Sequence, residues 1–80
     1  MLSRRKPHLT LTNLARALHR EANFAEVRAD LLGRAALKVE QEGDTARADV
    51  MRTTCRKMRV QALLDRCRAV AAEAKERGKP

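Results

Sequence analysis

The sequence predicts an all-α protein: a three-helix domain with a helix-turn-helix hairpin and a long C-terminal helix, docked onto a second copy of itself. Three observations carry that expectation. Apolar residues recur at spacings of three and four from Leu11 onward. Gly43 followed by Asp44 marks one sharp stop and restart between long periodic segments. The 80 residues hold a thin apolar complement, because 14 of the apolar positions are Ala, Phe24 is the only aromatic, and there is no Ile, Trp or Tyr. A chain this short buries a modest share of its surface, and association with a partner is a common remedy.

Residues 1–8 read as a flexible basic arm. Arg4, Arg5 and Lys6 cluster before Pro7, which disfavours helix in the residue ahead of it. Residues 9–80 form a single helical domain. The first helix is expected over about 11–22, with Thr10, Thr12 or Asn13 as its cap and Leu11, Leu14, Ala15, Leu18 and Ala22 as its apolar stripe. "NFAE" fits a capping box, with Asn23 as cap and Glu26 reaching back, so a second helix is expected over about 24–42. Its stripe is Phe24, Val27, Leu31, Ala35 and Val39, which puts Glu26, Asp30 and Glu40 on the opposite face. "EGD" then links antiparallel helices, and the last helix is expected over about 45–77 without an internal Gly or Pro, ~50 Å at 1.5 Å per residue.

That last helix carries two apolar stripes. Met51, Cys55, Met58 and Ala62 share one face; Val60, Leu63, Leu64, Cys67, Val70, Ala71 and Ala74 share another, displaced by roughly 140° at ~100° per residue. A straight helix cannot send both to one neighbour. The first stripe is assigned to the chain's own hairpin and the second to a homodimer interface, in preference to a break near Arg59–Ala62 with no Pro or Gly to cause it.

The formal net charge is +8, a field that favours anionic partners. Arg52, Arg56, Arg59 and Arg66 fall on an arc of ~80° between the two stripes. With the acids of the preceding helix placed on its back, only Asp49 offers this arc a local carboxylate. Two readings follow: a solvated face of good helix formers, or a phosphate-binding face in which Arg52, Arg56, Lys57, Arg59 and Arg66 act with Arg4, Arg5 and Lys6 on duplex DNA. The absence of interleaved aromatics speaks against a single-strand reader.

The expected function is therefore a small basic, non-enzymatic nucleic-acid-binding or regulatory protein. The alternative is an adaptor, inhibitor or secretion-type chaperone that binds protein through an exposed apolar helix face, tested at Leu64 and Val70; an acidic protein is a further partner that the Arg arc itself could take. A helix-turn-helix drawn on 14–31 has Arg20 and Arg28 where apolar residues are wanted. A ribbon-helix-helix built on "HLTLT" leaves the long last helix surplus. Met51, Cys55 and Met58 form a soft-ligand triplet conceivable for Cu(I), but Met and Cys at that spacing belong to a core. His8 and His19 are too isolated for zinc, so no cofactor or metal is expected. Cys55 and Cys67 lie twelve residues apart on one helix, ~18 Å and beyond disulfide reach. A reduced cytoplasmic protein without a membrane span is expected, and the Arg-rich, Ala-rich composition points to a GC-rich bacterial, plasmid or phage genome.

Overall fold

The computed structural model describes residues 10–78. It contains two helices, α1 (Leu11–Gln41) and α2 (Thr45–Arg77), packed as an antiparallel hairpin. The expected three-helix domain is therefore corrected to two helices, although the all-α class holds. The error lies at Asn23. Nothing there breaks the helix: neither Gly nor Pro is near, and α1 runs straight through. Asn23 is exposed and its Oδ1 accepts a hydrogen bond from Arg66 Nη2 at 2.8 Å, while Glu26 pairs with Arg66, so neither serves a capping box.

The ends are set by local chemistry. Thr10 caps α1 through Oγ1, which accepts from the Asn13 amide at 3.0 Å, so the chain is already helical at Leu11 and Thr12, within the stretch weighed as a strand. At the other end the Asp44 amide donates to the Val39 carbonyl at 3.1 Å and the Gly43 amide to that of Glu40 at 2.9 Å, the paired bonds of a Schellman stop. Gly43 takes φ +97°, a region costly for any residue with a Cβ. Asp44 then caps α2 by accepting from the Arg47 amide at 3.1 Å. The tight "EGD" link and the span 45–77 stand as the sequence indicated. The α2 helix is unbroken across residues 59–62.

The seam is where the sequence reading inverts. The buried residues of α1 are Ala15, Ala22, Ala25, Ala29 and Ala36; those of α2 are Ala48, Cys55, Ala62, Asp65, Ala69 and Ala72. Ala15, Ala22, Ala29 and Ala36 recur every seven residues, as do Ala48, Cys55, Ala62 and Ala69. A seven-residue repeat keeps one narrow stripe of each helix facing the other, and side chains this small let the backbones come close. The approach is close enough for the Cys55 thiol to donate to the Ala29 carbonyl at 3.1 Å. Leu18, Leu32, Val39, Met51 and Met58 line the margin half-buried. Phe24, Val27 and Leu31, expected inside, are 59%, 56% and 58% exposed.

Both apolar stripes of α2 are real, but their division along the helix is not. The inner stripe continues to Ala69 and Ala72, so the second half of α2 also packs on its own hairpin. The outer stripe, Val60, Leu63, Leu64, Cys67, Val70, Ala71 and Ala74, is exposed throughout. No described helix is long and apolar enough to cross a membrane.

Candidate functional site

The hairpin is a flat object with a seam, two broad faces and two outer edges, and each carries different chemistry. One broad face is an ion-pair ladder. Arg52, Arg59, Arg66 and Glu73 follow one another at seven-residue intervals on α2, next to the seam. Antiparallel packing sets them against Glu40, Gly33, Glu26 and His19, which share that interval on α1. Arg52 grips Glu40 with both guanidinium nitrogens, at 2.9 and 2.8 Å, and lies 3.8 Å from Asp49. Arg66 pairs with Glu26, and His19 Nε2 lies 3.4 Å from Glu73 Oε1. Gly33 offers no carboxylate, so Arg59 reaches to Asp30 at 2.9 Å, one turn earlier.

The titration behaviour of the ladder follows from those bonds. The bidentate hydrogen bond and charge of Arg52 hold the Glu40 carboxyl below its usual value. The same bond, aided by the charges of Glu40 and Asp49, raises Arg52. Arg59 is raised chiefly by its hydrogen bond to Asp30.

The expected phosphate-binding row therefore looks different in place. Arg52, Arg59 and Arg66 are each held by a carboxylate of α1, contrary to the expectation that the acids of that segment lie on its back. Arg56 donates to Thr53 Oγ1 at 3.2 Å and lines, with Arg52, Arg59, Gly33 and Cys55, a second groove of about 270 Å³. Lys57 is exposed. Arg4, Arg5 and Lys6 lie outside the described residues. A groove of about 350 Å³ runs beside the ladder between Glu26, Asp30, Arg59, Ala62, Leu63 and Arg66, with the ion pairs in its wall. Among the described residues no group of three or more His, Cys, Asp or Glu could hold a metal ion.

The outer edges carry what the seam leaves out. No large side chain is fully buried among the described residues, while ten large apolar side chains are 43–67% exposed. On α1 the edge opposite the seam reads Arg20, Phe24, Val27, Leu31, Arg34 and Lys38, at intervals of four, three, four, three and four. All six are exposed, and Arg20, Arg34 and Lys38 make no ion pair with any described residue. Arg28 flanks the same strip. Sequence reasoning missed this site because it assigned Phe24, Val27 and Leu31 to the core. The signal was present: cations continue that apolar stripe at both ends in strict helical register, which a buried stripe does not tolerate. On α2 the outer edge is the stripe from Val60 to Ala74 already described. No family model, no curated protein and no solved structure matches this chain.

Proposed function

We propose that this protein is a non-enzymatic adaptor whose α1 edge holds an acidic amphipathic segment of a partner protein. One observation carries the reading: an exposed apolar triad, Phe24, Val27 and Leu31, bracketed in helical register by Arg20, Arg34 and Lys38, none of which is neutralised within the described chain. Helix-in-groove and helix-on-helix recognition uses anchors at such spacings, aromatic side chains serve as anchors more often than most, and complementary charge selects the partner. Burying each anchor fully is worth roughly 1.5–3 kcal/mol relative to leaving it in water, and about half of that is still unrealised at the exposures seen here.

A phosphate backbone has no use for three large apolar side chains in the middle of its cations. The nucleic-acid reading drew its support from an Arg row without counter-ions, and Arg52, Arg59 and Arg66 have them. The two readings part in one experiment. Labelled amphipathic helical peptides with Leu anchors are compared with Glu or with Lys on their polar face, beside a labelled DNA duplex. The adaptor reading expects the Glu peptide to bind, the Lys peptide not to, and binding to fail in Phe24→Ser/Leu31→Ser. Salt-sensitive duplex binding that survives Phe24→Ser/Leu31→Ser, with no peptide bound, would sink it.

A further inference from the structure

We infer that the outer edge of α2 is occupied by α2 of a second copy of this chain, across a two-fold axis that passes at Cys67. The inference is independent of the acidic-partner reading, which uses the other edge. Its ground is the symmetry of the exposed stripe. Around Cys67 the apolar residues fall at plus and minus three (Leu64, Val70), four (Leu63, Ala71) and seven (Val60, Ala74). Those are the positions that surround a helix-crossing point. Every one is exposed: Val60 57%, Leu63 62%, Leu64 46% and Val70 55%, with the two alanines and Cys67 also open.

The stripe is also complementary to itself. Its first half holds the larger side chains and its second half the smaller ones. A two-fold axis at Cys67 lays Val60, Leu63 and Leu64 of one copy over the partner's Val70, Ala71 and Ala74. Leu63 then meets Ala71 and Val60 meets Ala74 on both sides of the axis, with Leu64 against Val70 nearest it, so the stripe is self-complementary, as an isologous interface requires. A parallel arrangement sets large on large and leaves gaps at the alanines.

Charge permits the approach. The cations nearest the axis are already occupied: Arg66 by Glu26, Arg68 by Asp65 at 3.6 Å, and Arg59 by Asp30. At the rim, Lys57 comes toward the partner's Arg77 and Arg59 toward the partner's Lys75. Those like-charge pairs make the association stronger as salt rises, the opposite of what an acidic partner on α1 shows.

Cys67 supplies the test. At a helix crossing of 8–10 Å between axes, with Cα atoms at ~2.3 Å radius, the two Cys67 Cα atoms come within the separation a disulfide spans. Diamide is added to the full chain, and each pair of Cys67 thiols forms one disulfide while two hydrogens pass to diamide. Wild type and Cys55→Ser should convert to covalent dimer, and Cys67→Ser should not. Light scattering at high micromolar concentration should give twice the 9.0 kDa chain mass. Leu63→Asp should raise the dissociation constant at least tenfold while far-UV circular dichroism is kept, because Leu63 lies outside the seam. A monomer at that concentration overturns the inference, as does a dimer that ignores Leu63→Asp or fails to cross-link at Cys67. The peptide measurements on α1 stand or fall separately.

Discussion

The seam assignment makes a two-sided prediction about stability. Ala29 is fully buried, and its carbonyl accepts the Cys55 thiol at 3.1 Å. Ala29→Leu adds three carbons where the backbone of α2 already stands. Leu is nearly as good a helix former as Ala, so the change acts through packing alone. Overfilling a packed interior costs about 1–3 kcal/mol. For a domain of this size each kcal/mol moves the melting temperature by ~4–8 °C, so a central estimate of ~2 kcal/mol lowers it by ~8–16 °C. Phe24→Ala should do almost nothing: the side chain is 59% exposed, such surface changes stay within about 0.5 kcal/mol, and Ala favours helix. Had the hairpin packed instead through Phe24, Val27 and Leu31, Phe24→Ala would cost about 3–5 kcal/mol and Ala29→Leu would be tolerated. Thermal melts followed by circular dichroism, at one fixed protein concentration because association raises apparent stability, decide between them. A neutral Ala29→Leu beside a damaging Phe24→Ala refutes the alanine seam.

Three further outcomes follow from particular positions. Gly33→Ala should stabilise by up to about 1 kcal/mol, since Ala is the better helix former and its Cβ meets only Cys55 Sγ at an ordinary 3.8 Å; chemical denaturation reads this directly. Gly43→Ala should cost about 1–2 kcal/mol: a Cβ there meets nothing within 4 Å, so the loss comes from the +97° φ alone. Finally, Glu40 binds its proton less readily in the fold than in the open chain. Its pairing with Arg52 therefore adds stability that is complete above the ordinary carboxylate value of 4.5 and fades as pH falls below it. Acid titrations of wild type and Arg52→Gln should converge at low pH and separate near neutrality, and parallel curves would contradict the pairing.

How much of this was legible beforehand depends on which signals compete. The stop at Gly43 and restart at Asp44 were readable because backbone conformation and capping act over three or four residues. The extent of α2 was readable because nothing in it interrupts helix. Asn23 misled because capping residues also occur on helix surfaces. With no Gly or Pro beside it, and α2 packed along the whole of α1, helix continuity wins. The seam misled for a different reason. The α1 helix has two apolar stripes, and size favoured Phe24, Val27 and Leu31. What decides is agreement between helices: alanines every seven residues on α1 meet small residues every seven on α2. The ladder residues keep that same interval. A match of period across two segments was available in the sequence, but hydrophobicity judged one helix at a time does not expose it.

The ladder also gives the row of arginines a role in the fold. A seam of alanines at a period of seven is degenerate, since shifting one helix by seven residues lays alanine on alanine again. The Glu42–Asp44 turn fixes the register at one end only, and α1 extends ~46 Å beyond it. Along that length the ladder discriminates. A shift of seven in one direction sets Glu73 against Glu26; in the other it sets Arg66 against His19 and leaves Glu40 without its arginine. Like charges face each other or an acid is stranded in either case, so only the observed register pairs Arg52, Arg66 and Glu73 together. Register in turn fixes the level of the two edges: Phe24, Val27 and Leu31 of α1 lie at the height of the Cys67-centred stripe of α2. An arginine drawn away to a phosphate would strand its carboxylate and loosen that alignment. The row is accordingly a structural element of the hairpin, and it sets the level at which the two outer edges stand.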